Sequence, residues 1–212
     1  MTLKTELYSE AIKRLPSTGQ IILGHQENEQ IVVYQAYNRQ IADYTVKNQA
    51  FGGSNYSYNR MSWIKPNFLW MMYRCGWASK ENQERVLAIW ISKIDFESIL
   101  SEATFSSFNP AYYSSHEQWK NEINEKEVRL QWDPDHDSFG NKVTRRAIQI
   151  GMKGDVLKNF GQRQIMAIED ITEFVKEQKV LVDNNQLDKL LIPIEDVFKP
   201  TEETLCKRLG VE

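Results

Sequence analysis

The chain has 212 residues, 41% of them hydrophobic and 26% charged, which is enough apolar material for a sizeable core and too much for a disordered chain. A formal net charge of -3 argues against a general polyanion binder, which needs a strongly basic balance, and leaves room only for local basic clusters. Two cysteines, Cys75 and Cys206, are too few and too far apart for a disulfide framework or a CxxC metal site, and neither a run of about 18 apolar residues nor a leader-like apolar segment occurs, so the expectation is one cytoplasmic domain over 1–212 with no membrane partner.

Leu3, Leu7, Ala11, Ile12 and Leu15 recur at helical spacing until PSTG stops them, which predicts a peripheral helix over 3–15. QIILGHQENEQIVVYQAY reads as two strand-like runs around a polar turn at Gln26–Glu29. Asn38 then suits the cap of a helix that runs to the Gly52–Gly53 pair. After the polar, aromatic stretch SNYSYNR, MSWI is short enough for a strand. Pro66 opens an apolar helix that Gly76 closes.

RVLAIWISKI predicts a central strand, DFESILSEATF a helix capped by Asp95, and SSHEQWKNEINE a helix capped by Ser114 or Ser115. KEVRLQWD and VTRRAIQIG are strands about a turn, GDVLKNFG is a short helix, and QIMAIEDI is a strand leading into a helix over TEFVKEQKVLVD. The tail from 186 to 212 reads as peripheral, with Thr201 capping its last helix, and the core spans about 20–180. About six strands, mainly antiparallel and flanked by helices, define an α+β class.

The stretch RMSWIKPNFLWMMYRCGW sets cations among apolar side chains. On a helix from Pro66, Arg74 shares a face with Trp70 and Asn67 and is expected to be partly buried. A buried guanidinium needs a partner, either a carboxylate of the chain or a ligand anion. Lys65 stands where the helix dipole disfavours a cation, and a phosphate held by Lys65, Arg60 and the free helix N–H groups would resolve that conflict; the alternative is that both cations reach into water. Trp63 serves as core or as a stacking wall. Gln35, Gln131 and Gln149 interrupt strands, facing solvent, one another or a common pocket. DPDHD lacks the glycine and distal glutamate of a calcium loop, and His25, His116 and His136 lack zinc or triad spacing, so no metal centre is expected. There is no Walker loop and no GxGxxG.

VYQAYN, RMSWIKPNFLWMMYRCGWA, ERVLAI, VRLQWDPD and RAIQIG together resemble the domain-of-unknown-function family numbered 4291, a family that implies no settled activity. A looser likeness is to the ADP-ribosyltransferase arrangement, which implies NAD as cofactor, Tyr34 and Gln35 on a first motif strand, Ser62 on a second, and Glu127 as the glutamate that stabilises an oxocarbenium-like transition state. The first strand lacks that arrangement's arginine or histidine, and the second carries one hydroxyl.

The resulting expectation is a phosphate-bearing, nucleotide-like ligand, with ADP-ribosyl transfer from NAD as its sharpest form. Arg60, Lys65 and Arg74 would bind phosphate, Trp63 would stack, Gln35 and Gln131 would orient polar groups, and Glu127 would be catalytic. The rival is a non-catalytic module that meets nucleic acid or protein through the same residues.

Overall fold

Residues 3–212 are described by a computed structural model. In chain order, β1 (Thr5–Leu7) leads into α1 (Tyr8–Arg14), followed by β2 (Ile22–Gly24), β3 (Gln26–Glu27) and β4 (Gln30–Tyr37). Next come α2 (Arg39–Asn48), β5 (Ser62–Ile64), α3 (Phe68–Cys75), β6 (Arg85–Ser92), α4 (Lys93–Ser101) and β7 (Ala103–Phe105). The chain continues through α5 (His116–Glu125), β8 (Val128–His136), β9 (Lys142–Met152), α6 (Gly154–Asn159), a π-helical turn and β10 (Ile165–Asp170). It ends with α7 (Thr172–Asp183), β11 (Leu191–Pro193), β12 (Asp196–Phe198) and α8 (Glu203–Leu209).

The valine- and isoleucine-rich runs pair into two four-stranded sheets, β10-β6-β4-β3 and β5-β9-β8-β7. Every pair is antiparallel except β7 with β8, which run parallel across the α5 crossover. Strand alternation then decides the core. Val33 of β4 and Leu87, Ile89 and Ile91 of β6 join Ile64, Leu130, Ile148 and Ile150 of the second sheet in one apolar cluster. On the other face of the first sheet, Val32, Tyr34, Ala88 and Trp90 pack with Phe68 and Met72 of α3 and Val175 of α7. The fold is therefore α+β, with twelve strands among the described residues in several sheets rather than the six expected.

The two sheets meet at a single backbone bridge. Tyr34 N donates to Lys65 O at 2.7 Å, and Lys65 N donates to Tyr34 O at 3.2 Å. Beyond this rung β4 and β5 part.

Several boundaries differ from expectation for identifiable reasons. Thr5–Leu7 is a strand because it pairs with Leu191–Pro193, so the first helix starts only at Tyr8. The α2 helix ends at Gln49, which is left-handed at φ 52°, before the glycine pair. Ser92 replaces Asp95 as the α4 cap: its hydroxyl accepts from Asp95 N and donates to the Asp95 carboxylate. Thr201 bonds Glu97 instead of capping α8. The tail read as peripheral supplies Phe198, Leu205, Cys206, Leu209 and Val211 to the main core. Asn67, not Pro66, sets the start of α3: its side chain accepts from Trp70 N at 2.7 Å, and Gly76 at φ 59° closes the far end.

The first N–H group of α3, that of Phe68, is claimed from far along the chain. Glu195, 2% exposed, accepts from Phe68 N at 2.6 Å. Burial first, then the nearby Asp135 charge, push its carboxyl up to about 8, against the pull of the Phe68 hydrogen bond. The proton is thus held more tightly in the folded chain than in the unfolded one, so this group's contribution is complete below its ordinary value and disappears as pH rises through 8. Glu195→Gln keeps the acceptor and removes the titration. Its melting temperature should vary less than that of the parent chain between about pH 5 and 8 and exceed it at the upper end, as measured by calorimetry across that range.

Candidate functional site

Where β4 and β5 separate, a cavity of about 330 Å³ opens between the end of β4, the outer face of the second sheet and the last turns of α3. Gln35, Trp63, Lys65, Arg74 and Gln131 all line it, together with Gln149 and Ser62. Five of the six residues expected to hold a ligand thus reach one space from four separate elements.

Gln35 holds the gap open at a fixed width. Its Nε2 donates to Trp63 O at 3.2 Å and to Ser62 Oγ at 2.7 Å, so a side-chain amide takes over where the backbone ladder stops. Tyr37 shares the Ser62 hydroxyl at 2.8 Å. Gln35 is 3% exposed, and its Oε1 has no partner. A buried acceptor left open costs about 1–3 kcal/mol, and the residue that carries it lines the cavity.

Trp63 lies on the outer sheet face because its neighbour across the strand pair is Gly151. A Cβ at Gly151 would stand 2.8 Å from both the Trp63 ring and Met61 Sδ. The glycine is therefore a space requirement, and the indole wall depends on it. Gln131 and Gln149 are opposite each other on β8 and β9, and both donate to Asp133, at 2.8 and 2.7 Å, which fixes both amides on the cavity wall.

The two cations on α3's flanks exchange the environments expected of them. Lys65 is 5% exposed, whereas Arg74 is exposed. Arg74 lies in the last turn of α3 on the exposed side it shares with Tyr73, and the Tyr34 bridge pins the Lys65 backbone inside. Lys65 Nζ makes one hydrogen bond, to Trp63 O at 3.2 Å. Among the described residues, neither Lys65, Arg74 nor Arg60 enters an ion pair. Burial, then the Arg74 charge, push the Lys65 ammonium down to about 7.

Three expectations need correction. The helix N-terminus is not available to a phosphate, because Asn67 and Glu195 already occupy it. Arg60 is exposed and lines a neighbouring cavity of about 550 Å³, which shares Tyr37, Met61 and Ser62 with the first. Glu127 is not part of either lining: its carboxylate accepts from Val156 N at 3.0 Å, and Gly154 has no Cβ in the space the carboxylate fills. Sequence reasoning missed Glu195 and the unpartnered Gln35 oxygen. Gln35 carried a signal, a lone amide in an apolar strand; Glu195 carried none.

These features define an α+β protein with a polar, cation-bearing cleft at the junction of two sheets. Residues 21–198 match the family described as Domain of unknown function (DUF4291), and the chain belongs to that family. No curated protein matches the chain. No described helix is long and apolar enough to cross a membrane.

Gly151→Ala should lower the unfolding free energy by about 1–3 kcal/mol, because Trp63 and Met61 must both move to admit one methyl group. Denaturant titration measures this. An unchanged midpoint would mean that the indole wall is not fixed by the glycine.

Proposed function

We propose that the cleft binds a phosphate-bearing, nucleotide-like small molecule. The observation that carries this reading is a buried amine without an ion-pair partner and a buried amide oxygen without a donor, on two residues that line one cavity. Charge left unpaired inside a protein is costly, which is why the Lys65 ammonium is pushed down to about 7, and the chain keeps this amine beside a second cation. A ligand anion relieves that cost at Lys65 and meets a second, exposed cation in Arg74. A hydroxyl or amino group satisfies Gln35 Oε1, the Trp63 face receives a planar or apolar ring, and the Gln131 and Gln149 amides take further polar atoms.

The cavity size suits part of a nucleotide, and the adjoining space beside Arg60 leaves room for a second anionic group. NAD, the cofactor implied by the looser resemblance, belongs to this ligand class and is a natural probe. With Glu127 engaged at the start of α6, the proposal includes no ADP-ribosyl transfer step.

Thermal denaturation with AMP, ADP-ribose, NAD and a short single-stranded RNA tests the reading. A ligand at a hundredfold excess over its dissociation constant adds about 2.7 kcal/mol, a shift of several degrees for a chain of this size. Lys65→Met should melt higher than the parent chain without ligand and lose most of the ligand shift, since it removes the buried charge together with the anion contact. Arg74→Ala, on an exposed position, should weaken the shift and leave the unliganded stability within about 0.5 kcal/mol of the parent. Stabilisation by RNA alone would replace the small-molecule reading with the nucleic-acid one. No shift with any probe would end both.

A further inference from the structure

Lys65 is poorly suited to be merely a second phosphate clamp. A lysine that only attracts anions works from the surface on a flexible stem, as the exposed positions of Arg74 and Arg60 allow. Lys65 instead has its backbone bonded in both directions to Tyr34, its stem buried, and its Nζ anchored by one bond to Trp63 O. Its charged surroundings are Arg74 from α3 and Asp133 from β8, with the Cys75 thiol behind, and Asp133 is already bonded to two glutamine amides. Desolvation next to another cation is the arrangement that leaves an amine uncharged and nucleophilic.

We propose that Lys65 is a nucleophile, and that the cleft takes a phosphate-bearing sugar, or a related phosphorylated compound with a free carbonyl, and joins its carbonyl carbon to Lys65 Nζ as an imine. The proposal rests on the reading of the cleft as a phosphate-ligand site and names the chemistry performed there.

The step balances without any further reagent. The Nζ lone pair forms a C–N bond to the carbonyl carbon, and the carbonyl oxygen takes up the proton that the nitrogen releases, giving a carbinolamine. That hydroxyl then leaves with the second Nζ proton as water, and the C=N bond forms. Gln35 lines the same cavity and carries an unpartnered acceptor, Oε1, which a small rotation of the amide would bring to the carbinolamine hydroxyl. Arg74 retains the phosphate, and the Gln131 and Gln149 amides meet the sugar hydroxyls. Because burial and Arg74 bring Lys65 down to about 7, a large fraction of the amine is free at neutral pH, whereas an ordinary lysine is almost entirely protonated there.

The test treats the full chain with ribose 5-phosphate and cyanoborohydride at neutral pH, followed by peptide mass mapping. Hydride adds to the imine carbon and fixes the adduct as a secondary amine. The expected result is one adduct at Lys65, forming at least about tenfold faster than with ribose, as one charge-assisted phosphate contact implies. It should be absent from Lys65→Arg and Lys65→Met, each checked for an intact melting transition. Adducts scattered over surface lysines, no adduct at Lys65, or equal rates for ribose and ribose 5-phosphate would overturn the inference. AMP, which has no free carbonyl, separates the two levels: stabilisation by AMP without trapping at Lys65 preserves the binding reading and removes the nucleophile.

Discussion

The two hydrogen bonds between Tyr34 and Lys65 are the constraint on which the rest depends. They fasten one four-stranded sheet to the other at one rung, so the strands must diverge on either side of it. On one side the divergence is filled by apolar side chains and becomes core. On the other it is spanned by the Gln35 amide and the Tyr37 hydroxyl and stays open as a cleft. The same rung fixes the Lys65 stem, which is how a lysine comes to be buried without an ion-pair partner among the described residues.

Helix α3 shows how position along a chain and position in space diverge. Its start is secured by one residue next to it and one far away, Asn67 and Glu195, and its end carries Arg74 out to the cleft mouth. The dipole at its positive end is satisfied internally. Any anion in the cleft is therefore held by side chains and amides, not by the helix terminus.

Much of the site was legible because its residues break local rules. A glutamine in an apolar strand, a tryptophan beside a serine, and a lysine before an apolar helix each contradict the surrounding pattern, and such conflicts concentrate at functional places. Strand alternation sets Gln131 and Asp133 on the face opposite the core residues Leu130 and Trp132. What could not be read was burial set by tertiary neighbours. Lys65 and Arg74 exchange environments because Arg74 falls beside Tyr73 on the exposed side of the last turn of α3, and because the inward lysine is fixed by a partner thirty-one positions earlier, Tyr34. Glu127 looked free in the sequence, yet an adjacent helix start consumes it. Periodicity gave the α+β class but undercounted strands, since two- and three-residue strands such as β1 and β11 exist only through their pairing.

The contact between Glu195 and Phe68 spans 127 positions. During synthesis α3 emerges long before the carboxyl that completes its first turn, and the apolar cluster around Leu205 and Leu209 closes later still. Contacts this distant in sequence slow the search for the native arrangement. A ribosome-bound chain halted before Glu195 would therefore carry an incompletely closed core and a cleft wall without its anchor, which makes it a natural client for chaperones until the final segment arrives.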